Sequence, residues 1–165
     1  MPRRHLAAIA CLVLMGCGSG DNDPSGNYRG SVVNRVNGCH FEGWVEDKTM
    51  TMVVLSIVKD AGTDWLYAEL YGLDPALVLN VLGTVRFEGR VEGDDVKLRL
   101  QGTRQLTQNG CTYSVIGNFA GVLEQDTLAG DIQYTILASS GPDCGELQTC
   151  TTLQEFSGTR PAGAP

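Results

Sequence analysis

From Asn27 onward apolar side chains recur at every second residue, and this period confines the chain to strands more firmly than any other feature. Val85, Phe87, Gly89 and Val91 alternate with Arg86, Glu88, Arg90 and Glu92. Beyond Gly93-Asp94-Asp95, Val96, Leu98, Leu100 and Gly102 alternate with Lys97, Arg99, Gln101 and Thr103. Two such runs joined by a tight polar turn make a hairpin with one apolar and one wet face. Tyr113, Val115, Gly117, Phe119, Gly121 and Leu123 share a face in the same way. So do Leu128, Gly130, Ile132, Tyr134 and Ile136, after a turn at Gln125-Asp126-Thr127. Further strands are expected over Asn27–Val36, His40–Asp47, Thr49–Lys59, Trp65–Tyr71 and Leu153–Arg160. In Thr49–Lys59, Met50, Met52 and Val54 oppose Val53, Leu55 and Ile57, which suits a strand covered on both faces. Asp74-Pro75 opens an apolar run to Leu82 that fits a short helix, a strand or a loop.

A second pattern lies on top of the first. The triplet aromatic-x-Gly occurs at Tyr28-Arg29-Gly30, Phe41-Glu42-Gly43, Phe87-Glu88-Gly89, Phe119-Ala120-Gly121 and Phe156-Ser157-Gly158. Residues two apart on a strand share a face, so each triplet sets a ring beside a bare backbone position. Glycine lets a sheet coil tightly and the ring covers the gap. The expected fold is all-β: a single antiparallel meander barrel, or a strongly curved sandwich, of about eight to ten strands over residues 27–165.

The N-terminus reads as an address. Arg3 and Arg4 precede an apolar run from Leu6 to Met15, too short to span a bilayer as a helix. The run ends in Leu14-Met15-Gly16-Cys17, which resembles the lipobox of bacterial lipoproteins. That resemblance implies a signal peptide over residues 1–16, lipidation of the Cys17 sulfur and cleavage after Gly16. Two or three acyl chains make a durable membrane anchor. Gly18 stands where an Asp favours the inner membrane in enterobacterial lipoproteins, so the outer membrane is the expected address. Residues 17–26 carry the lipidated Cys and a small, polar tether. Asp21, Asp23, Ser25 and Gly26 match half a calcium loop, but Val32 stands where the bidentate Glu belongs, so no metal is expected.

The chain carries 12 Lys and Arg against 19 Asp and Glu, a net charge of −7. Such a balance argues against non-specific nucleic-acid binding and against adhesion to anionic membranes through the protein surface. Four cysteines remain in the body: Cys39, Cys111, Cys144 and Cys150. In an oxidising envelope they are expected as structural disulfides. Proximity suggests Cys144 with Cys150, leaving Cys39 with Cys111, each behind an Asn-Gly turn. Their spacing lacks the close pairs of thiolate zinc sites and the C-x-x-C of redox sites.

Catalytic signatures are scarce. His40 and His5 are the two histidines, and His40 adjoins a cysteine expected to be oxidised. Glu46, Asp47, Glu92, Asp94, Asp95, Glu124 and Asp126 fall in turns or on wet strand faces, as a solubilising surface does. Arg104 and Arg160 each end a Gly-Thr-Arg step and are expected either to close a barrel end or to meet an anion.

Gly26-Asn27-Tyr28 at the first strand and Arg160 late in the last resemble the G-x-W and distant Arg of lipocalin-type barrels, with Tyr in place of Trp. The resemblance implies a ring packed beside the Arg at the barrel floor. The chain as a whole resembles small β-rich bacterial lipoproteins. The expected function is a non-catalytic structural or protein-interaction module held to the membrane by its N-terminal lipid, without cofactor. The alternatives are a lipocalin-like carrier of a small apolar ligand and an envelope enzyme. An open or a filled interior separates carrier from module.

Overall fold

The computed structural model describes residues 23–41, 43–75, 78, 82–105, 112–141, 144, 147 and 150–162; for 101–105 and 137–140 the description is of the strands alone. The lipobox with Cys17, and Cys111, lie outside the described residues, as does the side chain of Arg104.

Eight strands follow the alternating runs: β1 (Gly26–Asn37), β2 (Thr49–Lys59), β3 (Trp65–Tyr71), β4 (Arg86–Glu92), β5 (Asp95–Gln105), β6 (Thr112–Glu124), β7 (Thr127–Ser140) and β8 (Thr151–Thr159). Each pairs antiparallel with the next, and β8 returns to β1, so the sheet is a closed meander barrel with no unpaired edge. Of the two architectures expected, the barrel is the one formed. The apolar faces point inward: Val53, Leu66, Val96, Leu100, Val115 and Leu128 are fully buried. Outward stand Arg86, Glu88, Arg90, Lys97 and Arg99. This is the reverse of a membrane-spanning barrel, whose outer face is apolar.

The aromatic-x-Gly triplets produce the curvature by two devices. At Gly30 and Gly89 a Cβ would run into the backbone of the neighbouring strand, at Ser157 and Lys97 respectively. Those strands approach closely because no side chain stands between them. At Gly121 and Gly158 the ring two residues earlier lies over the bare position, with a Phe119 carbon 2.5 Å and a Phe156 carbon 2.7 Å from where a Cβ would be. The two rings meet edge to face at 6.2 Å.

The triplet at Phe41 departs from this, because the expected strand over His40–Asp47 is a loop. Asn37 dictates it: its Oδ1 accepts from the Phe41 N–H at 2.9 Å and its Nδ2 donates to the Phe41 carbonyl at 3.1 Å. His40, Gly43 and Asp47 all have positive φ, and three such residues within eight interrupt the extended conformation of a regular strand. A second departure is in β2. The β1 register slips at Gly30/Ser31, where Met52 is the extra residue, with φ 62. This β-bulge turns Met52 outward to 85% exposure. Val58 is exposed too, so the strand is not covered on both faces. In the 74–83 segment Pro75, Val78 and Leu82 are helical, with Val78 N donating to Asp74 O at 3.1 Å.

The two ends of the barrel differ. One carries tight turns between β2 and β3, β4 and β5, and β6 and β7, together with the first and last described residues. The other carries every long connection, including the loop between β1 and β2.

Candidate functional site

Among the described residues the barrel interior is filled by apolar side chains. Between Leu55, Leu70, Phe87, Leu98, Phe119, Ile132 and Phe156 a void of about 10 Å³ remains, apolar throughout. That is at the lower limit for one water, and a drug-sized ligand needs hundreds of cubic ångströms.

Toward the long-loop end the described interior becomes polar. Tyr134 donates its hydroxyl to Gln154 Oε1 at 2.7 Å, and Gln154 Nε2 donates to Asn34 Oδ1 at 2.8 Å. Asn34 Nδ2 in turn donates to the Val45 carbonyl at 3.1 Å. All three side chains are buried, and each is satisfied by the next. Burial holds the Tyr134 phenol well above its ordinary value. Above this chain the loop inserts Phe41 and Trp44 as a plug. Trp44 meets Tyr134 edge-on at 6.3 Å, Phe41 meets Tyr113 at 6.5 Å, and Trp44 Nε1 donates to the Arg35 carbonyl. Sequence reading missed this plug. The signal was present in Asn37-Gly38, a turn dipeptide followed by two aromatics off any alternating pattern.

The Cys39–Cys150 disulfide fastens the plug to the start of β8, with 4.8 Å between Cα atoms. This corrects the pairing of Cys144 with Cys150 and of Cys39 with Cys111. Proximity in sequence misled, because the β1–β8 seam carries Cys39 to the Thr152 hydroxyl, which accepts from its N–H at 3.2 Å. Cys144 is also disulfide-bonded. His40 is exposed and adjoins this bridge in sequence.

At the tight-turn end Arg160 takes the structural role. Its guanidinium lies 5.5 Å over the Tyr28 ring. It donates to the carbonyls of Asp23 and Ser25 at 2.6 and 2.5 Å and to Asp126 Oδ1 at 3.1 Å. Tyr28 donates to the Pro24 carbonyl at 2.9 Å. Burial pushes the Tyr28 phenol up to about 12 against a partial offset from Arg160. The carboxylates at 46, 47, 92, 94, 95 and 124 are exposed, and Asp126 is half-buried. Among the described residues no His, Cys, Asp and Glu cluster of three or more is arranged to hold a metal ion.

Another concavity lies outside. A groove of about 920 Å³ runs over the outer wall of β3 to β6, lined by Trp65, Arg86, Glu88, Arg90, Lys97 and Arg99 among others. The alternation that buries Phe87 and Leu98 places these side chains outward. The close approach of β4 to β5 at Gly89 lies beneath them. Arg86 donates to Glu69 at 2.8 Å, Glu69 also accepts from the Tyr71 hydroxyl, and Lys97 donates to Glu92 at 2.6 Å. Arg90 lies 5.4 Å over the Trp65 ring. Arg99 stands across from Glu88 in the β4–β5 register. Neither Arg90 nor Arg99 has an ion-pair partner among the described residues. No protein-family model, no curated protein and no solved structure matches this chain.

Proposed function

We propose that this chain is a lipid-anchored cell-envelope protein whose barrel acts as a non-catalytic structural or protein-interaction module. One observation carries the reading: the barrel interior is packed, with about 10 Å³ left between its apolar side chains. A carrier needs the room that Phe87, Phe119 and Phe156 fill here. The ends of the barrel support the same reading. The tether enters at the tight-turn end, so a lipid on Cys17 holds that end toward the membrane and presents the long loops and the Cys39–Cys150 bridge outward. Function gathers on loops held by a rigid scaffold. The Tyr28–Arg160 contact matches what the lipocalin resemblance implies, and on that ground we read the body as a lipocalin-like barrel adapted to surface rather than interior recognition.

Three measurements test this. Mass spectrometry of the mature chain should find it beginning at Cys17 with added lipid; a soluble cytoplasmic chain that keeps Met1 overturns the anchor. Titration with fluorescent fatty acids should give no saturable binding; a saturable curve restores the carrier. Photo-crosslinkers placed around the barrel in intact envelopes should trap a protein from at least one face. No crosslink from any face removes the interaction reading.

A further inference from the structure

The groove over β3 to β6 has a charge opposite in sign to the chain that carries it. Four of the twelve Lys and Arg residues line it, against two of the nineteen Asp and Glu. We propose that it docks an extended acidic segment of a partner protein, an inference that rests on the interaction-module reading above. Arg90 and Arg99 can receive carboxylates without first giving up an ion pair, since neither has one among the described residues. Trp65 holds the Arg90 guanidinium from one side and so limits the freedom lost on binding. Beside the cations, Tyr67 and Tyr71 are each about half exposed and Val58 more so. Tyr, Trp and Arg side by side are the residues in which binding energy concentrates at protein interfaces.

Two features define the occupant further. The closed barrel offers no strand edge, so recognition proceeds through side chains and not by adding a strand. Arg86 and Arg90 are four residues apart on β4, about 13 Å along the strand. An extended segment with carboxylates four residues apart matches that spacing. Glu88 lies between them, with Arg99 across from it, and it opposes the continuous charge of a polyphosphate. A segment that intersperses its carboxylates with apolar residues leaves Glu88 uncrowded and covers the tyrosines.

The test uses the full chain in neutral detergent and a short fluorescein-labelled peptide of Glu, Ser and Leu with its carboxylates four residues apart. Anisotropy should rise to saturation at low salt and fall back as salt screens the pairs. Arg99→Glu and Arg90→Glu should each weaken binding about tenfold or more. Arg29→Glu, the same charge change on the exposed face of β1, should leave it unchanged. No saturable binding, or an equal loss from Arg29→Glu, overturns the groove. Tighter binding of anionic vesicles or of a single-stranded oligonucleotide overturns the choice of a polypeptide. Photo-crosslinkers at Tyr67, at Val33 and in the long loops in intact envelopes separate this proposal from the reading beneath it. A protein trapped at Tyr67 and lost with Arg99→Glu supports the groove. A protein trapped at Val33 or at the long loops but not at Tyr67 overturns the groove and leaves the module standing, and none from any face removes both.

Discussion

Arg160 joins the last strand to the segment before the first, with its side chain only 10% exposed. Two carbonyls, one carboxylate and a phenol ring surround its guanidinium there. Tyr28 beneath it makes the arrangement sensitive to alkali. A phenol held at about 12 in the folded chain, against 10.0 ordinarily, keeps its proton after the unfolded chain has lost it. Its stabilising contribution is complete below pH 10 and drains away as pH rises from there to about 12, a loss of up to about 3 kcal/mol. Tyr28→Phe should therefore lower stability by about 1 kcal/mol at neutral pH, through the lost bond to Pro24, yet lose less than the parent at high pH. Urea unfolding across that range reads both effects, and parallel curves refute the assignment. Gln154 is the corresponding residue inside the barrel, since it both accepts and donates within the buried chain. Gln154→Ala leaves the Tyr134 hydroxyl and Asn34 Oδ1 without partners and should cost about 2–4 kcal/mol in urea unfolding.

At the scale of elements, the strands were legible and the loop between β1 and β2 was not. β2 and β3 match their expected bounds, and the other strands differ by a few residues at their ends, because an apolar face of period two has one way to be buried. His40–Asp47 was misread as a strand because the deciding interaction is a side-chain amide holding a backbone four residues away, which hydrophobic period does not record. The Met52 bulge escaped for a related reason: it depends on where β1 places Gly30, a partner outside the strand itself. The bridge was misassigned because 111 residues separate Cys39 from Cys150, and their meeting depends on barrel closure. The charged groove residues were visible as the wet faces of a hairpin, but their convergence with Trp65 needed the β3–β4 register. The bridge closes a very long loop, so Cys39→Ala with Cys150→Ala should cost about 4–5 kcal/mol on the chain-entropy model. An unchanged urea midpoint would show that the plug is held by its rings alone. Cys39, Cys150 and Cys144 are all oxidised, and if Cys11 leaves with a signal peptide and Cys17 carries lipid, as proposed, peptide mapping of the unreduced chain should recover Cys144 joined to Cys111.

The molecule as a whole is polarised along the barrel axis. The tight-turn end gathers Asp60, Asp64, Asp94, Asp95 and Asp126, and Asp23 of the tether approaches the same end. Lys59 and Arg160 answer two of these, Asp64 at 3.7 Å and Asp126 at 3.1 Å. The end at which the described chain begins is therefore the end an anionic bilayer would repel. On the proposed reading, a lipid on Cys17 and a rim of aspartates would act in opposition: the acyl chains would hold the protein at the membrane while the rim would keep the barrel off it, leaving its walls and long loops free to meet a partner. The repulsion acts within about a Debye length, roughly 10 Å at ordinary ionic strength, which a tether of a few residues can span. The chain with Cys17→Ser and no signal peptide should then fail to sediment with anionic vesicles even at low salt, where attraction through a basic patch such as the β3–β6 groove would be strongest. Asp60→Asn, Asp64→Asn and Asp94→Asn together should bring the body closer to vesicles when the lipid is present, seen as increased quenching of Trp65 by a headgroup-borne quencher. Sedimentation of the lipid-free chain would mean that the groove wall and not the tether sets the orientation, and the outward presentation of the Cys39–Cys150 end would fail with it.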